Sequence, residues 1–162
     1  MAELLVRTDV HVLGGRRVPG CPAPIDHLAV GPGGVTVIGT GPAGRRDPAE
    51  LQYLLTAVAR HVELIGRCLE QWGAIDVDVR GCLSLADPGG REPFAGTRVR
   101  GIPLLGAAGA SRLAARPGPL SPARVARLAG LFADALRPPL AGAGAGGPAA
   151  ARPPGRNPRT LS

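Results

Sequence analysis

Lysine is missing from this 162-residue sequence, in which all 19 Lys or Arg positions are arginine. Aromatic side chains are almost as rare, with one tryptophan, one tyrosine and two phenylalanines. Four scattered rings are too few to form a platform on which successive bases could stack. The lack of lysine excludes a P-loop and any other active site that depends on this side chain.

Cysteine and long apolar runs are also scarce. Cys21, Cys68 and Cys82 are odd in number and widely spaced, so they indicate neither a zinc site nor a disulfide framework. No apolar run approaches the length of a membrane span, and Arg7 and Asp9 interrupt the start of the chain before a signal peptide could form. We therefore expect a cytoplasmic protein with reduced thiols and no membrane partner.

The arginines give the chain a formal net charge of +7. Guanidinium groups bind phosphate bidentately and stay charged, so paired arginines are candidate nucleic-acid contacts. These candidates are Arg16, Arg17, Arg45 and Arg46, together with Arg98 and Arg100. Because the chain is also rich in alanine, glycine and proline, we favour a biased coding composition as the main source of its basic character. Charge alone therefore does not establish a nucleic-acid partner.

The composition predicts one domain over residues 1–137 and a disordered tail rich in Pro, Gly, Ala and Arg over 138–162, where large apolar side chains are almost absent. Hydrophobic periodicity and turn residues predict three strands, a long amphipathic helix, two strands, a short helical segment and a final helix. The predicted strands lie within 4–13, 25–41 (a hairpin of two strands), 75–85 and 99–105, with a turn at 14–17. The predicted helices are a long one over 47–72, a short segment that ends at 115 and a final helix that begins at 121. This order favours an α/β or α+β fold with a mixed central sheet of about five strands flanked by helices.

The stretch Ile25–Gly41 carries the densest signal. Its two apolar runs flank Gly31-Pro32-Gly33-Gly34, the pattern of a β-hairpin rather than of a phosphate loop. Asp26-His27 could bind a metal or act in acid-base chemistry, but without further carboxylates we favour an ordinary strand entry. The glycines from Gly39 onward only partly fit a dinucleotide fingerprint, so nucleotide binding is a minor alternative.

Several segments together resemble the nuclease-related domain (NERD) family. They are VLGGRRVPG, IDHLAVGPGGVTVI, ARHVELI, VRGCLSLAD, TRVRGIPLL and RPGPLSPARVARLAGLF, and they span roughly residues 6–136 in the family's order. The resemblance implies a fold like that of restriction endonucleases, in the PD-(D/E)XK nuclease superfamily, and a role in DNA processing. It also implies a site in which two acids on neighbouring strands hold Mg²⁺ and a lysine positions the attacking water.

Only the first of these three residues matches. Asp26 corresponds to the first acid and is the one candidate catalytic and metal-binding residue, whereas Gly39 and Gly41 replace the second acid and the lysine. Because no lysine exists anywhere in the chain, none can substitute from elsewhere. We expect a catalytically degenerate domain, or pseudoenzyme, that needs no cofactor. The alternatives are a weak residual Mg²⁺-dependent nuclease, with Asp47 or Glu50 as the second acid, and a protein-interaction module that does not contact DNA.

Overall fold

A computed structural model describes residues 9–42, 47–86 and 96–138. They form one mixed six-stranded sheet with helices packed on it, which confirms the predicted α/β architecture with one strand more than expected. The strands are β1 (His11–Arg16), β2 (Ile25–Gly31), β3 (Gly34–Gly41), β4 (Val79–Leu85), β5 (Arg98–Val99) and β6 (Ile102–Leu105), and the helices are α1 (Pro48–Gln71), α2 (Ala107–Ala114) and α3 (Pro122–Ala135).

The sheet has the strand order β1-β2-β3-β4-β6-β5. The first three strands form an antiparallel meander, and α1 then crosses over so that β4 runs parallel to β3. Helices α1 and α3 pack on one face of the sheet against Leu28, Val30 and Val37, whereas α2 packs on the other face against Ala29 and Ile38. Burial on both faces explains why β2 and β3 are apolar almost throughout rather than alternating.

The two longer helices begin where the sequence predicts. The Asp47 carboxylate accepts a hydrogen bond from the backbone N–H of Ala49 at 3.0 Å, and Ser121 Oγ caps α3 by accepting from Arg124 N at 3.3 Å. After α1, Gly73 takes a φ of +70°, a left-handed conformation that glycine adopts at little cost. The rings of Trp72 and Phe132 then pack edge to face at a centroid distance of 4.9 Å, which joins the end of α1 to α3.

The predicted turn at residues 14–17 is wrong. Gly14 pairs with His27 and Arg16 pairs with Ile25, so β1 continues through the two glycines. Hydrogen bonds to β2, which are not visible in local sequence, override the turn preference of Gly14-Gly15.

The predicted limits of the later strands also need correction. The strand predicted from residue 75 begins at Val79, which pairs with Val35 near the start of β3. Ile75 is 80% exposed and lies outside the sheet. The strand predicted over 99–105 is two strands joined by a turn at Arg100-Gly101. The tail predicted from residue 138 lies outside the described residues except for Pro138, so the structure does not test it.

Candidate functional site

Asp26 lies near the start of β2, beside the end of β3. His27 pairs with Ile38, and this antiparallel register, carried one residue further, places Asp26 opposite Gly39. The Asp26 carboxylate is held in place by Thr40, because its Oδ2 atom accepts hydrogen bonds from Thr40 N at 2.8 Å and from Thr40 Oγ1 at 3.0 Å. No sequence pattern indicates Thr40 as the partner of this carboxylate, because the two residues lie 14 positions apart on different strands.

A small cleft of about 140 Å³ lies next to Asp26, between β2, β3 and α1. Its walls are mainly apolar, and its other ionisable side chains are Tyr53 and His61; neither Asp47 nor Glu50 lines it. Among the described residues, no three His, Cys, Asp or Glu side chains lie close enough together to hold a metal ion. The second carboxylate suggested for a residual metal site is therefore not brought into this cleft.

The position opposite Asp26 is closed by helix α1. A Cβ atom built on Gly39 would lie 2.5 Å from Val58 Cγ2 and 3.3 Å from Leu83 Cδ1. Gly81 on β4 meets the same valine, since its Cβ would lie 2.6 Å from Val58 Cγ1. Real Cβ atoms do not approach so closely, so α1 packs against a sheet surface that requires glycine at both positions. Helical periodicity predicts that Val58 is buried, but not which strand residue it covers.

His61 is a buried packing residue rather than a free acid or base. Its side chain is 4% exposed, and Nε2 lies 3.0 Å from the carbonyl oxygen of Ala23. The thiol of Cys21 lies 3.6 Å from the same nitrogen. Because a carbonyl can only accept a hydrogen bond, Nε2 carries the proton and cannot also accept one from Cys21.

His27 follows Asp26 in the chain but points to the opposite face of the sheet, as alternation along a strand requires. It is about half-buried, and desolvation lowers its pKa, while the negative charge of Asp26 partly opposes that shift. The two residues therefore do not form one acid-base pair on a common face.

Four of the candidate arginines, Arg16, Arg17, Arg45 and Arg46, divide into two groups. Arg16 Nη1 lies 3.5 Å from the carbonyl oxygen of Leu136, and Arg17 Nε donates to that of Pro138 at 3.4 Å. The backbone of Arg17 also forms a bridge with Arg137. Arg16 and Arg17 thus attach β1 to the chain after α3, whereas Arg45 and Arg46 lie outside the described residues.

Comparison of the chain with protein-family models, with curated proteins and with solved structures gave no match. No helix in the described ranges is long and apolar enough to cross a membrane.

Proposed function

We propose that this chain is a catalytically degenerate, nuclease-like domain of the NERD type that binds DNA without cutting it. The observation that carries the proposal is the closed position opposite Asp26. The resemblance to the NERD family implies acids at residues 26 and 39 on neighbouring strands. These two positions are opposite each other on β2 and β3. One position keeps its carboxylate, while the other is a glycine covered by Val58.

The donor groups around Asp26 do not fit Mg²⁺. This ion requires near-octahedral oxygen coordination and is usually held by carboxylates together with water and phosphate. Asp26 supplies one carboxylate, one oxygen of which is engaged by Thr40, and the rest of the cleft wall is mainly apolar. Without two carboxylates and a cation, the site lacks the groups that would generate a hydroxide and stabilise charge in the transition state. The site therefore lacks the groups needed to hydrolyse a phosphodiester.

Two other functions make different predictions. A weak residual nuclease would use Asp26 with a carboxylate from Asp47 or Glu50, and it would bind Mn²⁺ in calorimetry. A protein-interaction module would show no salt-sensitive affinity for DNA. The open hollows lined by arginine on the sheet and α2 favour a DNA-binding function over the second of these. The proposal includes a cytoplasmic location, with which the free thiols of Cys21, Cys68 and Cys82 agree.

The proposal is tested by the salt and metal dependence of DNA binding. Fluorescence anisotropy of labelled DNA should show an affinity that falls as salt rises, because phosphate contacts release counterions. The chain should bind DNA in EDTA, and added Mg²⁺ should only weaken binding, as a competing counterion does, since the metal has no role in the site. An affinity that needs Mg²⁺, or that does not change with salt, would contradict the proposal.

A further inference from the structure

A groove lies at the β5–β6 side of the sheet. It consists of two hollows of about 460 and 510 Å³, both within the range of about 300 to 1,000 Å³ typical of ligand sites. The hollows share four lining residues and are therefore continuous. The shared residues are Arg98, Pro103, Leu113 and Arg116. The groove is separate from the Asp26 cleft, with which it shares no lining residue.

Positive charge dominates the lining of this groove. Arg98, Arg100 and Arg116 are all exposed, and Arg100 and Arg116 form no side-chain ion pair with any described residue. The acidic side chain in the lining is Asp78, and Arg80 already binds its carboxylate at 2.5 Å while also donating to the carbonyl oxygen of Gly33. Asp78 thus offers little competition for the exposed guanidinium groups.

Arg100 stands in a backbone conformation that disfavours arginine. Its φ is +53°, and it is the one non-glycine residue with a positive φ in the described part of the chain. Together with Gly101, at φ +80°, it forms the two-residue turn between β5 and β6, where Asn-Gly is the preferred pair. Arg98 Nη1 donates to Gly101 O at 3.2 Å, so the same turn holds a second guanidinium at the groove. Non-glycine residues at strained backbone positions cluster at binding sites, so the conformation of Arg100 supports a binding role for this turn.

The floor of the groove is aliphatic and includes an open stretch of strand edge. Ile102, Pro103 and Leu113 contribute apolar surface. Strand β4 pairs with β6 only at Leu83 and Ser84, so no described strand covers residues 79–82 on that side. Unstacked bases combine an apolar face with polar edges, and they stack on arginine planes as well as on aromatic rings. In a duplex the bases are stacked on one another inside the helix, so they cannot contact the aliphatic floor of the groove.

We propose that this groove binds single-stranded nucleic acid, with Arg98, Arg100 and Arg116 contacting backbone phosphates and the aliphatic floor receiving unstacked bases. The inference rests on the proposed DNA-binding function and deepens it by naming the surface and the form of the ligand. Each phosphate contact contributes about 0.7 to the slope of log affinity against log salt for a single strand. Three contacts therefore predict a slope of about −2.

The experiment measures anisotropy of a fluorescein-labelled 12-mer of thymidine, and of a labelled duplex, with the full chain in EDTA. The groove variant is Arg98→Glu with Arg116→Glu. We expect it to bind the single strand at least about tenfold more weakly and with a shallower slope. The matched control is Arg67→Glu with Arg127→Glu, which makes the same change in net charge at exposed helix positions outside the groove. It should stay within about threefold of the unmodified chain, since distant exposed charges are largely screened.

A third variant guards against loss of folding. Arg100→Gly replaces arginine by the residue that tolerates a positive φ, so the variant protein should unfold at an equal or higher temperature. Its slope of log affinity against log salt should nevertheless be shallower by about 0.7. Equal weakening in the groove and control variants, or tighter binding of the duplex, would overturn the groove and leave DNA binding in place. Cutting of the bound strand in Mg²⁺ that Asp26→Ala abolishes would overturn the degenerate-nuclease proposal and leave the groove. No affinity for either DNA would overturn both.

Discussion

Asp26 has a structural role that does not require a metal. Its carboxylate organises the end of β3 by accepting from both the backbone and the side chain of Thr40. The sequence identifies Asp26 through its resemblance to a catalytic acid, but not this role, because the contact joins residues 14 positions apart. The acid at this position therefore has a structural explanation that involves no catalysis.

This role predicts different effects for two substitutions of Asp26. Asp26→Ala removes the acceptor for both Thr40 groups and should lower the free energy of unfolding by about 1 kcal/mol. Asp26→Asn keeps an acceptor oxygen and should cost less than half as much. Urea denaturation of the three proteins measures the difference. Equal losses in the two variants would show that the hydrogen bonds to Thr40 do not account for the contribution of Asp26.

His27 predicts a pH dependence of stability. Burial lowers its pKa in the folded state below the usual value of about 6.5, so below that pH the unfolded chain binds more protons than the folded chain. The free energy of unfolding should therefore increase as the pH rises to about 6.5. It should decrease again as the pH falls below that value. His27→Gln should flatten this slope in denaturation curves measured between about pH 5 and 7. An unchanged slope in the variant would contradict the prediction.

At the scale of elements, the packing of α1 on β3 and β4 accounts for the closed site. Gly39 and Gly81 both lie beneath Val58, a β-branched side chain with little rotamer freedom. Introducing Gly39→Asp together with Gly41→Lys would therefore place an acid where a helix side chain already lies. A two-acid site at this position would also require a smaller residue at position 58.

This packing predicts a coupled pair of substitutions. Gly39→Ala should destabilise the fold by about 1 to 3 kcal/mol, because its Cβ would lie 2.5 Å from Val58 Cγ2. In a Val58→Ala background the same change should cost at least about 1 kcal/mol less. Gly66→Ala is the matched control: it adds a Cβ that meets nothing within 4 Å and should be neutral or stabilising. Additive effects of Gly39→Ala and Val58→Ala in denaturation experiments would contradict this account.

The elements also show which features can be predicted from sequence. The starts of α1 and α3 and the hairpin of β2 and β3 were predictable because caps and turn residues act over a few positions. The extension of β1, the late start of β4 and the short β5–β6 hairpin were not predicted, because partner strands set their limits. The last of these lacked the usual Asn-Gly signal, since arginine occupies the first turn position.

At the scale of the whole molecule, the Asp26 cleft and the arginine groove lie against different parts of the sheet. Strands β3 and β4 are parallel, and Asp26 lies beside the end of β3, whereas Val79, at the opposite end of β4, lines the groove. The sequence located the first site through its resemblance and included Arg98 and Arg100 among the phosphate candidates. It could not place these arginines with Arg116, because only the tertiary fold brings the turn and the residues after α2 together.

A cleavage assay tests most directly whether the domain cuts the nucleic acid that we propose it binds. End-labelled single-stranded and duplex DNA is incubated with the full chain in Mg²⁺ and in Mn²⁺, beside the Asp26→Ala variant. We predict full-length DNA in every lane, with no difference between the two proteins. Metal-dependent cleavage by the unmodified chain that disappears in Asp26→Ala would contradict the proposal that the domain binds nucleic acid without cutting it.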